Sequence, residues 1–274
     1  MLITINCFLL NIVINKMLIT KKGGEKMFNA KKEVTNIVKF IQDYYEKNNL
    51  KGAVLGISGG KDSAVVAALF VKALGKENVI GLALPIHSKE EDELDAKLIS
   101  DFYGFQLVKI DLTKTYDEFK KNFLVDEKFL GDSDINLKPR LRMAAMYYSA
   151  AMYTKLYNKP FIVAGTANKS ESYVGYFTKG GDSVRDIEVL ANLTVSEVIK
   201  LGEVLKVPKK VLYKTPSDGL SGLSDEEKLQ ITYQEIDDYL NNLPISKKSA
   251  ELIEKYHQNN AHKFKIPTYT KKCE

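Results

Sequence analysis

Apolar residues recur along this chain with two different spacings. Four short, mostly apolar runs predict buried strands, and stretches with the periodicity of an amphipathic helix separate them. The runs are 53–57, 79–84, 105–110 and 160–164. Strands that alternate with helices and are apolar on both faces form parallel sheets that helices cover. We therefore predict an α/β fold, a doubly wound, Rossmann-like parallel sheet flanked by helices, in a single domain that ends in further helices.

The predicted helices depend on apolar residues three or four positions apart and on polar residues that can cap a helix. Asn29 is a suitable N-cap, and the pattern Ser/Thr-x-x-Glu predicts capping boxes that begin at Ser88, Thr194 and Ser224. The predicted helices cover 30–47, 63–74, 88–103, 115–123, 139–157, 194–206, 224–240 and 246–259. Weak periodicity predicts loops over 124–136, 165–186 and 215–222, the last of them a candidate lid.

A glycine-containing segment joins the first predicted strand to the next helix. Adjacent glycines let the backbone approach a ligand, and the unpaired N–H groups of a helix start favour an anion. The spacing differs from the common G-x-x-x-x-G-K-[ST] loop, and Asp62 stands where that loop has its lysine. A carboxylate beside phosphates is understandable if Mg²⁺ lies between them. The segment consists of Gly56, Ile57, Ser58, Gly59, Gly60, Lys61, Asp62 and Ser63.

The composition is that of a globular protein and argues against several kinds of binding site. The 274 residues are 45% hydrophobic and 27% charged, as is usual for a globular protein, and the formal net charge is only +5. The lysines are spread along the chain, which argues against a nucleic-acid surface. The two cysteines, Cys7 and Cys273, lie at opposite ends, so we predict neither a zinc site nor a disulfide framework but a cytoplasmic protein.

The first 26 residues differ from the rest of the sequence. The apolar stretch 8–14 is shorter than the roughly 18 residues that a membrane helix needs, and it lacks the flanking features of a signal peptide. We predict that 1–26 is an atypical extension, with Met17 and Met27 as alternative starts, and that 27–274 forms the domain. No membrane association is expected.

The segment 58–63 resembles the signature of the N-type ATP pyrophosphatases. Later segments are similar to those of the ammonia-dependent NAD⁺ synthetases within that family. The match as a whole spans about residues 28–267. These segments are 136–142 (NLKPRLR), 165–171 (GTANKSE), 175–182 (GYFTKGGD), 216–218 (PSD) and 262–263 (HK).

The resemblance implies roles for individual residues. Residues 56–63 would bind the ATP phosphates together with Thr166 and Ser217, and Asp62 and Glu171 would bind Mg²⁺. The residues implied for deamido-NAD⁺ are Arg140, Lys179, Asp186, His262 and Lys263. One departure is Val195, where some members have an ATP-contacting lysine. The expected results are either that the contact is absent and ATP binding is weaker, or that Lys169 or Lys200 makes the contact instead.

The resemblance also implies a reaction. The nicotinate carboxylate of deamido-NAD⁺ would attack ATP to give an adenylate and pyrophosphate, and ammonia would then give NAD⁺ and AMP. The chain has no space for the amidohydrolase domain of glutamine-dependent relatives, so free ammonia is the expected donor, and a separate glutaminase subunit stays open. A homodimer is expected, with helix 139–157 at the interface and the dinucleotide bound across it.

Two other interpretations are compatible with the glycine segment alone. One is a tRNA-thiolating or tRNA-lysidine-forming ATP pyrophosphatase, against which the diffuse charge and the lack of a Cys-x-x-Cys pair argue. The other is a nucleotide-binding regulatory module without catalysis, similar to the universal stress proteins, against which Asp62 and Glu171 argue.

Overall fold

A five-stranded parallel sheet lies at the centre of the protein. The computed structural model describes residues 28–123, 131–215 and 224–270. Within them the strand order is β3–β2–β1–β4–β5, and every pair of neighbours is parallel. The strands are β1 (Gly52–Gly56), β2 (Val79–Ala83), β3 (Gln106–Lys109), β4 (Phe161–Gly165) and β5 (Ile187–Glu188). The predicted doubly wound α/β fold is confirmed.

Eleven α-helices are present in the described residues. Several of the predicted boundaries agree with them to within one or two residues, including that of α1, where the Asn29 side chain accepts a hydrogen bond from the Lys32 N–H. The helices are α1 (Ala30–Lys47), α2 (Lys61–Leu74), α3 (Glu90–Tyr103), α4 (Thr113–Lys121), α5 (Leu137–Tyr157), α6 (Lys169–Val174), α7 (Val195–Leu205), α8 (Lys209–Leu212), α9 (Asp225–Leu229), α10 (Tyr233–Leu240) and α11 (Lys247–Asn260).

Three predictions of local structure were wrong. Ser88 does not begin a capping box, because its hydroxyl accepts from the Ile86 N–H and α3 begins later without a side-chain cap. The segment 165–186, predicted as a loop, contains α6. The predicted helix 224–240 is two helices, because Gln230 adopts a left-handed φ of 55° and Thr232 begins a second capping box.

The sheet separates two apolar clusters, and β1 contributes to both. Ala53 and Leu55 pack with α1, α2 and α7 on one side of the sheet, whereas Val54 packs with α5 on the other. This alternation follows from the period of two along a strand. The strand order reverses between β1 and β4, since β2 extends the sheet on one side of β1 and β4 on the other. Ligands of such sheets bind at the carboxyl ends of the strands near this reversal.

The C-terminal helices form a third cluster that supports α6. Its apolar core includes Val174 of α6 and Ile236 of α10. The carboxylate of Asp237, which is 1% exposed, accepts a hydrogen bond from the Ser170 hydroxyl and another, of 2.7 Å, from the Ser196 N–H. One buried carboxylate therefore connects α6, α7 and α10.

Replacing Asp237 with Ala should destabilise the protein by about 3 kcal/mol, because it leaves the buried Ser170 hydroxyl and the partly buried Ser196 N–H without this acceptor. Urea denaturation would measure the difference. Asp238→Ala is the matched control, since the neighbouring carboxylate accepts its described hydrogen bond from Gln234 within its own helix. Its loss should change the free energy of unfolding by less than about 0.5 kcal/mol. Equal losses in the two variants would contradict the structural role of Asp237.

Candidate active site

The glycine segment connects β1 to the start of α2 at the carboxyl edge of the sheet. Gly59 has a φ of +80°, and Gly60 is the N-cap of α2 without a side-chain cap. The Ser58 hydroxyl accepts from the Gly60 N–H at 3.2 Å, and the Ser63 hydroxyl donates to the Gly60 carbonyl at 2.9 Å. The first N–H groups of a helix have no acceptor within that helix, so those of α2 can bind an anion, as in anion sites at helix N-termini.

Asn168 brings Asp62 and Glu171 together from different parts of the chain. Its side-chain amide donates to Asp62 Oδ1 at 3.0 Å. It is also the N-cap of α6: its Oδ1 accepts from the Glu171 N–H at 3.0 Å, while Glu171 Oε2 accepts from the Asn168 N–H at 3.2 Å. Asn168 is fully buried, so this arrangement is fixed within the protein. One oxygen of each carboxylate is engaged by Asn168.

The charges of Asp62, Glu171 and Lys61 shift the pKa values within this group of side chains. Burial raises the pKa of the Glu171 carboxyl, and the nearby charge of Asp62 raises it further. The Lys61 ammonium lies 3.0 Å from Asp62 Oδ2 and is only 5% exposed. Burial alone would lower the pKa of Lys61, but Asp62 and Glu171 outweigh burial and raise it. The Glu171 carboxyl is therefore ionised beside Asp62 only at an energetic cost, which a cation bound to both carboxylates would reduce.

A cavity of about 600 Å³ lies over these groups. Apart from Gly59, the whole glycine segment lines it, together with Glu171, Thr166 and Lys263. Its other charged lining residues are Asp92, Glu93, Arg142, Asp182, Lys214, Asp225 and Lys228. Its volume and mixed polar and apolar walls are typical of a site for a small organic molecule.

The donor set in the cavity suits Mg²⁺. Within the described ranges no three His, Cys, Asp or Glu side chains converge to hold a metal. Asp62 and Glu171 supply two carboxylates, and Mg²⁺ is usually held by one or two carboxylates plus phosphate oxygens and water. The residues present therefore fit Mg²⁺ bound jointly with a phosphorylated ligand better than a site made of protein ligands alone.

The residues predicted for deamido-NAD⁺ occupy two places. Lys263 lines the cavity, where its ammonium donates to the carbonyls of Gly175 and Phe177 at 2.6 and 2.9 Å. Beside the cavity, the Arg140 guanidinium donates to the Lys179 carbonyl, and the Lys179 ammonium donates to the His262 carbonyl at 2.9 Å. Arg140, Lys179 and His262 are exposed neighbours, but the cavity wall does not include them.

Asp186 is also exposed and lies outside the cavity wall. Its carboxylate accepts from the Tyr147 hydroxyl at 3.0 Å and from the Val163 N–H at 2.8 Å. Asp186 thereby attaches the segment before β5 to α5 and β4. The predicted ATP contact Ser217 lies outside the described residues.

Three residues that shape the site were not assigned a role from the sequence. Asn168 belongs to the pattern Asn168-x-x-Glu171, a capping-box pattern that could have predicted α6. Arg142 lines the cavity, and its guanidinium donates to the Leu84 carbonyl at 3.0 Å. Lys214, also in the wall, had no sequence signal.

Val195, at the position of an ATP-contacting lysine in some relatives, is buried and directs its N–H at the Ser170 hydroxyl. The two lysines considered as replacements, Lys169 and Lys200, are not in the described cavity wall. The ammonium of Lys200 lies over the ring of Phe28, 6.0 Å from its centre. Neither lysine is therefore placed in the described cavity wall to make the contact that a lysine at position 195 makes in those relatives.

In the portion of the chain that the structure describes, no helix combines the length and the apolar character that crossing a bilayer requires.

Comparison with known proteins identifies relatives over most of the chain. The family described as NAD synthase matches residues 33–272. The NH₃-dependent NAD⁺ synthetase of Finegoldia magna is 41% identical over 239 residues, which are 87% of this chain and 95% of that protein.

Two solved structures have the same fold. The NMN synthetase of Francisella tularensis superposes with a TM-score of 0.79 at 36% identity and covers 89% of this chain and 99% of that one. The NH₃-dependent NAD synthetase of Campylobacter jejuni, in complex with nitrate, has a TM-score of 0.71 at 27% identity and covers 89% of this chain and 100% of that one.

Proposed function

Since this chain belongs to the NAD synthase family, we propose that it catalyses the ATP-dependent amidation of deamido-NAD⁺ by ammonia and forms NAD⁺, AMP and pyrophosphate. It is accordingly a ligase that forms a carbon–nitrogen bond in the last step of NAD⁺ biosynthesis, with ATP as co-substrate. The observation that carries the proposal is the pair of carboxylates, Asp62 and Glu171, which Asn168 holds at the cavity beside the start of α2. Family membership excludes the tRNA-modifying and purely regulatory alternatives.

The cavity residues have distinct roles in this reaction. The first turn of α2 and the hydroxyls of Ser58 and Ser63 bind the phosphates of ATP, and Thr166 lies in the same wall. The nicotinate carboxylate attacks the α-phosphorus of ATP, and pyrophosphate leaves. Ammonia then adds to the carbonyl carbon of the adenylate, and AMP departs with the electron pair of the broken C–O bond. No covalent nucleophile of the protein is required, because positioning and neutralisation of charge suffice.

Asp62 and Glu171 would hold Mg²⁺ against the phosphates. A bound Mg²⁺ would neutralise charge that develops on the phosphate oxygens and orient the leaving pyrophosphate. The Lys61 ammonium, 3.0 Å from Asp62 Oδ2, holds that carboxylate in its orientation. Lys263, in the same cavity wall, adds positive charge for deamido-NAD⁺.

One assay tests the proposed activity. Purified protein is mixed with deamido-NAD⁺, Mg-ATP and ammonium, and NAD⁺ and AMP are quantified by chromatography. Equal amounts of NAD⁺ and AMP are expected, and both should depend on ammonium. ATP binding without formation of either product would refute the proposal. Replacing ammonium with glutamine is the control for a glutaminase activity in the preparation.

Nicotinate mononucleotide should be tested as a second acid substrate in the same assay, because one structural relative is an NMN synthetase. Nicotinate mononucleotide carries the same reacting carboxylate as deamido-NAD⁺ but lacks the adenylate half. The exposed residues Arg140, Lys179 and Asp186 lie outside the cavity wall, where a longer dinucleotide could reach them. We therefore expect a higher kcat/KM for deamido-NAD⁺. The opposite preference would make the chain an NMN synthetase.

We further propose that the protein is a homodimer through α5. Tyr148, Met152 and Leu156 are spaced four residues apart on this helix and are 76%, 48% and 69% exposed. An apolar stripe of this kind marks an interaction surface. Arg140 lies in the first turn of the same helix, and the Tyr147 hydroxyl of that helix donates to Asp186. Two predicted dinucleotide residues thus adjoin the stripe, which supports a substrate site completed at the interface.

Replacing Tyr148 with Glu should convert the dimer to a monomer, since a charge would be buried in an apolar contact. Light scattering coupled to size-exclusion chromatography would give the mass. Leu243→Glu is the control, because Leu243 is an apolar residue, 45% exposed, away from α5. A wild-type mass of one chain, or a dimer that withstands Tyr148→Glu and a second change at Met152, would contradict this interface.

A further inference from the structure

The ammonium of Lys214 lies in an ion-pair cluster that contains the buried Asp95. This cluster is next to the glycine segment 56–63, here called the phosphate loop because of its proposed function. The Lys214 ammonium is 2.9 Å from Asp92 Oδ1 and 2.7 Å from Asp95 Oδ2. Asp95 is only 1% exposed, and its second oxygen is 2.7 Å from the ammonium of Lys210. These two carboxylates of α3 therefore hold Lys214 in one place.

The same part of α3 is in contact with the turn of the phosphate loop. A Cβ on Gly59 would lie 2.6 Å from the Asp92 carbonyl oxygen and 3.1 Å from the Asp95 Cβ. These distances show that the Gly59 backbone packs closely against Asp92 and Asp95, the two residues that bind Lys214. Lys214 also lines the cavity, together with Ser58 and Gly60 from the loop itself. The ammonium thus stands beside the loop from the α3 side.

Of the four other cationic side chains in the described cavity wall, three have described partners elsewhere in the site, and the fourth is Lys228. Lys61 is bonded to Asp62, Arg142 to the Leu84 carbonyl, and Lys263 to two carbonyls near α6. A lysine ammonium has three donors, and the described contacts of Lys214 use two of them, on Asp92 and Asp95. Lys214, whose side chain is 25% exposed and which lines the cavity, therefore has a third donor for a further acceptor.

We propose that Lys214 binds the β- and γ-phosphates of ATP, and that Asp95 is the positioning residue that holds its ammonium beside the Gly59 turn. This inference rests on the proposed use of ATP at this site. Charge-assisted contacts to phosphate are among the strong hydrogen bonds of proteins. Lys214 supplies a cation on the side of the loop where Gly59 meets α3, and it contributes to retention of the pyrophosphate half of the nucleotide.

The proposal is tested by calorimetric titration of Lys214→Met with three probes: Mg-ATP, Mg-pyrophosphate and AMP. No turnover is needed, so the result does not depend on which acid is amidated. We expect the Kd of ATP and of pyrophosphate to rise about 10- to 100-fold, the loss expected for one charge-assisted contact. The Kd of AMP should stay within about twofold of the wild-type value, because AMP lacks both phosphates and loses no charge-assisted contact.

Lys210→Met is the matched control, because Lys210 binds the same Asp95 carboxylate but does not line the cavity. It should leave all three Kd values unchanged, and Lys214→Arg, which keeps the charge, should restore much of the ATP affinity. The proposal is overturned if Lys214→Met weakens AMP as much as ATP, or if Lys210→Met and Lys214→Met weaken ATP equally. Either result would mean that the ion pairs only support the fold.

Discussion

Asp62→Asn and Glu171→Gln should each reduce the formation of NAD⁺ by at least about 10³-fold, because a carboxylate that binds a catalytic metal contributes several kcal/mol to transition-state stabilisation. Both changes preserve size and shape. Glutamine is also an accepted residue at the third position of a capping box, so the start of α6 should be retained in Glu171→Gln. Initial rates at saturating Mg-ATP, together with the thermal unfolding temperature, would separate loss of chemistry from loss of structure.

The chain contains a matched control for Glu171. Glu197 has the same structural role at the start of α7, where Thr194 and Glu197 form a capping box of the same kind. Glu197→Gln should therefore show whatever the capping position itself contributes, with a rate close to that of the wild type. Near-normal rates for both Asp62→Asn and Glu171→Gln would refute the metal assignment, and a comparable rate loss in Glu197→Gln would attribute the effect to helix capping.

The sheet could be predicted because its signal is local. The runs at 53–57, 79–84 and 160–164 are apolar on both faces, and this pattern predicts a buried parallel strand without reference to distant residues. The phosphate loop was equally accessible, since glycines, hydroxyls and a carboxylate are adjacent in sequence. The N-caps at Asn29, Thr194 and Ser224 also depend on residues within one helical turn.

The failures occurred where local signals compete or where contacts are distant. Ser88 had the residues of a capping box, but its hydroxyl binds the Ile86 N–H instead, as serine can in a turn. The break at Gln230 requires a left-handed residue that is not glycine, and no sequence rule favours glutamine there. The ion pairs of Lys214 join residues 119 and 122 positions apart, so only the folded chain brings them together.

Gly59→Ala should damage both the phosphate loop and the stability of the fold. A residue with a Cβ in the left-handed region is disfavoured by about 1–2 kcal/mol, and Gly59 has a φ of +80°. In addition, the new Cβ would lie 2.6 Å from the backbone oxygen of Asp92, which cannot rotate away as the end of a side chain could. The loop must shift to relieve this contact, and the hydroxyls and N–H groups that we propose to bind phosphate shift with it.

Gly180→Ala separates the two causes of that damage. Gly180 has nearly the same φ, +75°, but a Cβ at this position would have no described atom within 4 Å. Gly180→Ala should therefore destabilise the protein only by the cost of a Cβ in the left-handed backbone region, about 1–2 kcal/mol. Gly59→Ala should exceed this loss by at least about 1 kcal/mol in urea denaturation, as overpacking against rigid backbone does. Its Kd for Mg-ATP should also rise at least about 100-fold, because every phosphate contact of the loop depends on the Gly59 turn. Equal losses of stability in the two variants, with unchanged ATP affinity in Gly59→Ala, would show that the loop adapts to the methyl group and that close packing on α3 does not set its shape.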